Sequence, residues 1–215
     1  SGNNAGHTFL KKYVIPFYAE NQESSEVQIL DLFSRIANLG YCNDEEIDGM
    51  LSIVNDIIER GRIYHDPQAA LFNLITDLSK IRPEISASYA ELALSVFKDI
   101  KDDPMQSLMK FHIARFLLSS FNANPQEFQE LYPFIPDILS VFPTSEKHRT
   151  EEFWLEMKAF IEICKDSITK EIFDAIVESL ARYLSYQNFT SAIFVVSKDE
   201  NDEIIRLFGE LVVTY

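Results

Sequence analysis

The chain has 215 residues, of which 47% are hydrophobic, and it contains only 6 Gly and 8 Pro. This composition excludes a mainly disordered chain and argues against a turn-rich β sandwich, so a helical fold is expected. The 34 acidic residues outnumber the 19 basic ones, which leaves a net charge of −15 at pH 7. That charge repels phosphate backbones and anionic membranes, so we expect no direct nucleic-acid or membrane binding. A basic protein partner is compatible with the charge, and so is an acidic surface that only keeps the protein in solution.

Apolar residues recur at helical spacing in the first forty positions. Residues 8–19 are predicted to form a helix that Pro16 kinks or bounds. A second helix is predicted to begin near Ser24 and to end at Gly40, because glycine readily adopts the left-handed conformation that terminates helices.

The clearest helical pattern follows Asn43, a preferred N-cap residue, and ends at Gly61. Acidic residues occupy its first turn and Arg60 its last, which suits the helix dipole. Its apolar positions follow the i, i+3, i+4, i+7 rule and are Ile47, Met50, Leu51, Val54, Ile57 and Ile58.

Two similar helix starts follow, at Asp66-Pro67 and Asp103-Pro104, about 37 residues apart. Asp accepts hydrogen bonds from the first turn of a helix, and Pro fits the next position because its missing N–H is not needed there. Pro83 separates the first of these helices from a partner helix that runs to Ile100.

Asn124-Pro125 repeats the same start, but Pro133 and Pro136 interrupt the periodicity that follows. We therefore expect a two-piece helix up to Phe142, with a hinge or a bend at the prolines.

Three or four further helices are predicted in the last third of the chain. They cover residues 150–164 and 168–185, a short apolar segment at 189–196 that is a helix or a strand, and residues 204–212. The total is about ten or eleven helices in a single domain, 1–215, since no linker is long or polar enough to mark a boundary. The uncapped apolar run at the end predicts a fragment of a longer protein.

Paired in order, these helices form hairpins at 24–60, 66–100, 103–142 and 150–185, with a period of about 37 to 45 residues. The period and the Asp-Pro starts resemble those of HEAT and armadillo repeats. The proline-bearing segments at residues 13–17 and 132–139 resemble the second helices of that superfamily. The resemblance implies an α-solenoid of stacked antiparallel hairpins, which buries a continuous core and exposes one helix layer to partner proteins.

A narrower resemblance is to the importin and exportin nuclear transport receptors. It rests on the pI of about 4.6, on Glu152-Phe153-Trp154 at the start of one helix, and on residues 204–210 in another. It implies an acidic solenoid that wraps basic cargo and a small GTPase.

No catalytic constellation can be assembled from the sequence. The four histidines, His7, His65, His112 and His148, form neither a Glu-x-x-His pair nor a His-Glu-x-x-His motif, and two isolated cysteines make no zinc site. Asp44 to Gly49 match the opening of a calcium loop, but the twelfth position is Asn55 and the segment is regularly helical. We therefore predict no catalytic residue, metal or cofactor, and no enzyme.

Two acidic clusters and the single tryptophan are the candidate partner-binding residues. The tryptophan qualifies if it is exposed, because Trp is enriched at binding hot spots. The alternative interpretation is that the acidic residues cap helices and solvate turns and that Trp154 belongs to the core. The residues are Asp44, Glu45, Glu46, Asp48, Trp154, Asp199, Glu200, Asp202 and Glu203.

The leading functional hypothesis is a non-enzymatic interaction scaffold that presents an acidic curved surface. Cys42 and Cys164 are interpreted as reduced and structural, which predicts a cytoplasmic or nuclear protein. One alternative is an all-α enzyme or small-ligand-binding protein with a pocket lined by the 17 Phe and 9 Tyr. Another is a compact helical adaptor without repeat geometry.

Overall fold

A computed structural model describes residues 10–20, 22–40, 42–64, 67–141, 150–164 and 167–179. These residues contain nine α-helices and no strand, which confirms the predicted all-α class. A π-helical turn, Leu10–Val14, precedes the first helix. The helices are α1 (Ile15–Glu20), α2 (Gln22–Asn38), α3 (Asp44–Glu59), α4 (Gln68–Ile81), α5 (Glu84–Ile100), α6 (Ser107–Ala123), α7 (Ile135–Ser140), α8 (Thr150–Cys164) and α9 (170–179).

The segments predicted at 189–196 and 204–212 lie outside the described residues, so the count of ten or eleven helices stays a prediction. The chain divides into two compact units, Ser1–Val96 and Phe97–Tyr215. The organisation into one domain also stays a prediction. None of the helices in the described ranges has the length and apolar character needed to cross a membrane.

The helix with the clearest sequence pattern begins as predicted. The Glu46 N–H donates to the side chain of Asn43 at 2.9 Å, and the Asn43 N–H donates to the carboxylate of Glu46 at 2.9 Å. This reciprocal capping box satisfies backbone donors that the first helical turn leaves unpaired. Gly40 and Gly61, which follow α2 and α3, have positive φ angles of 70° and 71°, as expected of helix-terminating glycines.

The Asp-Pro starts differ from one another in the structure. Helix α4 begins at Gln68, directly after Pro67, while Asp66 lies outside the described residues. Asp103 accepts a hydrogen bond from the Met105 N–H at 2.9 Å, but the segment it opens is a 3₁₀-helix, Pro104–Gln106, and α6 begins only at Ser107. The prediction of an α-helix directly after Asp103-Pro104 is therefore wrong by one turn, since a short 3₁₀ segment, which is common at the N-terminus of an α-helix, separates the cap from α6.

Two helical pieces lie around the prolines, as predicted, but no helix begins directly after Asn124-Pro125, where residues 125–128 form a turn. A 3₁₀-helix, Gln129–Phe134, contains Pro133, and α7 follows it with Pro136 in its first turn. A proline in the first turn needs no N–H partner, so the chain can restart a helix there.

In the first unit, α2 and α4 pack side by side and run in the same direction. Glu26, near the start of α2, contacts Arg62 just before α4, whereas Asn38 at the end of α2 donates to Asp77 near the end of α4 at 3.1 Å. Ser34 also donates a hydrogen bond to Asp77. Because α2 and α4 are parallel, the segment that contains α3 carries the chain back from the end of α2 to the start of α4.

Helices α3 and α5 also run in the same direction and are joined by side-chain contacts. Asp48 and Arg82 form an ion pair at 2.8 Å, and seven residues further along both segments Tyr89 donates to Asn55 at 2.7 Å. Helix α1 lies along the other part of α3, since Tyr18 donates to Asp56 at 2.8 Å.

The second unit repeats this arrangement. Helices α6 and α8 are parallel neighbours: Phe111 packs on Phe153 and, further along, Phe121 packs on Phe160, with ring centroids 5.4 Å and 5.6 Å apart. The segment that contains α7 contacts residues 167–179, because Tyr132 donates to the carbonyl of Ser167 and Leu139 accepts from Ser179.

These inter-element hydrogen bonds join residues between 34 and 43 positions apart in both units. Such a separation is about the length of one helical hairpin. The arrangement of these helices as stacked repeats stays a prediction.

The core of the first unit surrounds α4. From Gln68 to Ser79 its residues are buried apart from Ala69 and Asn73, which are partly exposed, and only Lys80 and Ile81 in its last turn are exposed. A helix that is covered on nearly all sides cannot present a binding face. The broad solvent-exposed surfaces of this unit therefore belong to its other helices.

Candidate functional site

The exposed residues of helix α3 form one continuous stripe along the helix. Asp44, Glu45, Asp48 and Glu59 are exposed, together with the uncharged Ser52 and Asn55 between them. At about 100° per residue these positions fall on one side of the helix, opposite the buried Ile47, Met50, Val54 and Ile57. The stripe is therefore acidic at both ends and polar in the middle.

The neighbouring helix α5 carries a second exposed stripe, which includes Glu84 and Glu91. Because α3 and α5 are parallel and joined by the contacts Asp48–Arg82 and Asn55–Tyr89, the two stripes lie next to each other. Together they form one surface, the α3–α5 acidic face, which we define by Glu45, Asp48, Glu59, Glu84 and Glu91.

Arg82 lies at the edge of this face and links α3 to the start of α5. Its guanidinium contacts Asp48 at 2.8 Å and Glu84 at 3.5 Å, and the hydrogen bond to Asp48 raises the pKa of Arg82 above its ordinary value. One basic group between two carboxylates leaves an excess of negative charge, so the face attracts cationic groups.

The residues of the predicted acidic cluster at the start of α3 have two different roles. Asp44, Glu45 and Asp48 are exposed and contribute to the acidic surface. Glu46 is buried, with 7% of its surface exposed, and its carboxylate caps the helix. A carboxylate that is used in this way cannot reach a partner protein.

The other predicted site residues lie elsewhere. The side chain of Trp154 and the residues Asp199, Glu200, Asp202 and Glu203 are outside what the structure describes. Glu59, Glu84 and Glu91 were missed by sequence reasoning. Glu59 could have been found from its helical spacing to Asp48, whereas Glu84 and Glu91 join the site only through the pairing of α3 with α5.

A buried polar network lies beside the acidic face. Glu26, whose side chain is 1% exposed, pairs with Arg60 at 2.7 Å and with Arg62 at 3.2 Å. Arg60 also donates to the hydroxyl of Tyr18 at 2.6 Å, and that hydroxyl donates to Asp56. Burial, together with the hydrogen bond to Asp56, raises the pKa of Tyr18. The charged groups of this network pair with one another, so the network joins α1, α2 and α3.

The second unit contains a polar and aromatic cluster. His112 and Arg115 are 3% and 0% exposed, and Arg115 forms an ion pair with Glu152 of α8. The ring of His112 meets Phe111 edge-on, with centroids 5.2 Å apart. A guanidinium stays protonated, so Arg115 cannot act as a general base, and its ion pair with Glu152 links α6 to α8.

Within the described ranges, no group of three or more His, Cys, Asp or Glu side chains is arranged to hold a metal ion. Asp44 to Glu59 form an α-helix, so these carboxylates cannot wrap around calcium as a loop does. Cys42 and Cys164 are free thiols, and burial raises the pKa of both, to about 11 for Cys42.

Comparisons of the chain with protein-family models, with curated proteins and with solved structures find no match.

Proposed function

We propose that this chain is a non-enzymatic protein-binding scaffold that uses the α3–α5 acidic face to bind a basic partner. The scaffold is an α-solenoid of the HEAT and armadillo kind, presenting an acidic curved surface in the cytoplasm or the nucleus. A part of a nuclear transport receptor, or a regulatory or scaffold subunit, would have these properties.

The observation that carries the proposal is the pairing of two exposed acidic stripes on parallel neighbouring helices. Each stripe alone is an ordinary solvated helix face. Together they form a surface two helices wide, which is enough to contact an extended or helical segment. Charge on such a surface accelerates association and selects partners of opposite sign.

The solenoid part of the proposal is supported by the recurrent separation of contacts. Both units join corresponding helices 34 to 43 positions apart, and corresponding helices run parallel in both. Stacked hairpins that repeat this geometry generate extended surfaces on which other proteins bind.

The experiment compares two triple variants of the full chain. Glu45→Gln/Glu59→Gln/Glu91→Gln removes three of the five carboxylates that define the acidic face and leaves Asp48 and Glu84, which pair with Arg82. Glu127→Gln/Glu130→Gln/Glu178→Gln removes the same charge from exposed positions of the second unit. Proteins that co-purify with the unmodified chain are identified, and the affinity of the purified basic partner is measured for each variant at about 50 and 200 mM salt.

We expect the acidic-face variant to bind at least tenfold more weakly, and the control variant to bind within about twofold of the unmodified chain. Binding to the unmodified chain should weaken at the higher salt concentration. Equal binding by both variants, or retention that salt does not change, would contradict the proposal.

A further inference from the structure

Few side chains of α1 and of the turn before it are buried in the first unit. Over residues 12–18, only Val14 and Tyr18 are buried, at 6% and 5% exposure. Three large apolar side chains of the same segment are exposed by between 39% and 54%, namely Tyr13, Ile15 and Phe17. Because little apolar surface is buried here, detaching this segment costs less free energy than opening a helix of the core.

The backbone of α1 adds little stability of its own. The π-helical turn Leu10–Val14 runs directly into α1, and π geometry is rare and frequently found at functional sites. Pro16, the second residue of α1, has no N–H and therefore leaves one helical hydrogen bond unmade. With six residues, α1 is too short to persist as a helix without tertiary contacts. Its conformation depends on what attaches it to its neighbours.

Within the described residues, the attachment of α1 to α3 centres on Tyr18. The Tyr18 hydroxyl donates to Asp56 at 2.8 Å and accepts from Arg60 at 2.6 Å. The second contact is apolar: the Cδ1 atom of Ile15 lies 3.6 Å from the position that a Cβ atom on Gly49 would occupy. Hydrogen bonds to charged groups are stronger than those between neutral groups, so Tyr18 is the main point of attachment.

Helix α1 covers a side of α3 that adjoins the exposed stripe. Gly49 and Asp56 directly follow Asp48 and Asn55, the two residues of α3 that contact α5. At about 100° per residue, Gly49 and Asp56 lie around α3 from that contact, with the exposed Ser52 between the two directions. The stripe is therefore bordered by α5 on one side and by α1 on the other.

We infer that α1 is a strap that opens from α3 while the rest of the first unit stays folded, and that Tyr18 is its latch. Opening breaks the hydrogen bonds of Tyr18 and uncovers the side of α3 around Gly49 and Asp56, which adjoins the α3–α5 acidic face. Arg60 keeps its ion pair with Glu26 at 2.7 Å, so α2 and α3 stay joined. The inference concerns the motion of α1 and does not depend on the acidic face having a partner.

Hydrogen exchange of the full chain tests the strap directly. Amide exchange is followed by NMR under conditions in which its rate reports the opening equilibrium. We expect the amides of α1 to have protection factors at least about tenfold lower than those of Ile53, Val54 and Ile57, which are buried in the centre of α3. Equal protection would show that α1 opens only when the whole unit unfolds, and it would overturn the inference without any variant.

Two matched variants test the latch. Tyr18→Phe removes the hydrogen bonds to Asp56 and Arg60, whereas Tyr89→Phe removes the hydrogen bond from α5 to the adjacent Asn55. Both tyrosines are buried, at 5% and 7% exposure. Tyr18→Phe should lower the protection of the α1 amides about tenfold further and leave the centre of α3 within about twofold. Tyr89→Phe should leave the α1 amides within about twofold of the unmodified chain.

Three outcomes would contradict the role of Tyr18. The two variants have equal effects on α1, or Tyr18→Phe leaves the protection of α1 unchanged. In the third outcome, Tyr18→Phe lowers protection equally in α1 and in the centre of α3, which would mean that the residue stabilises the unit as a whole and is no latch.

Discussion

The carboxylate of Glu26 lies 2.7 Å from the guanidinium of Arg60, although only 1% of the Glu26 side chain is exposed to solvent. Arg62 approaches the second carboxylate oxygen at 3.2 Å. A buried carboxylate is tolerated only when opposite charges and hydrogen bonds replace the water it has lost. The two arginines provide that replacement and connect the start of α2 to the end of α3.

Replacement of Glu26 by Ala should reduce the free energy of unfolding by about 3 kcal/mol, since it leaves two partly buried arginines without their common partner. Chemical denaturation measures the change. Lys170→Ala, which breaks the fully exposed Lys170–Asp174 pair, is the control and should have no measurable effect. A similar small effect for Glu26→Ala would show that the network contributes little to stability.

Gln68 is 0% exposed, and neither polar atom of its amide has a hydrogen-bond partner in the part of the chain that the structure describes. A buried amide without partners is unfavourable, so Gln68→Leu should raise the free energy of unfolding by about 1 kcal/mol. Gln28→Leu, at an exposed position of α2, should change it by less than about 0.5 kcal/mol. Destabilisation by Gln68→Leu would indicate that the amide is satisfied in solution.

The capping box at the start of α3 can be tested separately. Asn43→Ala removes the acceptor of the Glu46 N–H and should cost about 1 kcal/mol of stability, as loss of an N-cap does. Asn43→Asp keeps an acceptor at the same position and should retain nearly all of the stability. Equal unfolding midpoints for the Ala and Asp variants would contradict this role.

The Cys42 thiol should be unreactive at ordinary pH. Its pKa is raised from 9.0 to about 11 by burial and by the nearby carboxylate of Glu46, so about a hundredfold less thiolate is present at pH 8 than for a free cysteine. Alkylation by iodoacetamide in a Cys164→Ala background should be slower by that factor in the folded protein than in urea. Rapid alkylation of the folded protein would contradict the raised pKa.

The same shift predicts how Cys42 affects stability at alkaline pH. Because the folded state holds the thiol proton more tightly than the unfolded chain does, the stabilising contribution is present below pH 9 and is lost as the pH rises towards about 11. The stability difference between the unmodified chain and Cys42→Ser should therefore shrink over that interval. A constant difference would rule out the linkage.

The proposed solenoid makes a prediction about size. A compact domain of this length has a radius of gyration of roughly 17 Å, and stacked hairpins should give a clearly larger value in small-angle X-ray scattering. The measurement is made at several protein concentrations to exclude association. A value near that of a compact domain would favour a helical adaptor without repeat geometry.

Local features of the fold follow from short stretches of sequence. Asn43 and Glu46 specify the start of α3 because the cap involves residues three positions apart. Pro136 fits the first turn of α7 because its missing N–H needs no partner there. By contrast, the Asp103-Pro104 start produced a 3₁₀ turn, which the same residue types do not distinguish from the first turn of an α-helix.

The candidate site likewise combines features that follow from local sequence with features that depend on tertiary packing. The exposed position of Asp48 could be predicted from the periodicity of α3, but the burial of Glu46 in a cap divides a cluster that looks uniform in the sequence. Glu91 becomes part of the acidic face only because α5 lies beside α3, about one hairpin length further along the chain.

The sequence by itself therefore determined the helical class, most helix boundaries and the acidic character of the protein, because these depend on residue type and on neighbours within a few positions. The tertiary structure alone decided which helices are neighbours, that α4 is covered on nearly all sides, and that Leu155 and Ile163 remain exposed on α8. Those outcomes depend on packing between residues some 34 to 43 positions apart, and local sequence patterns carry little information about contacts at that range.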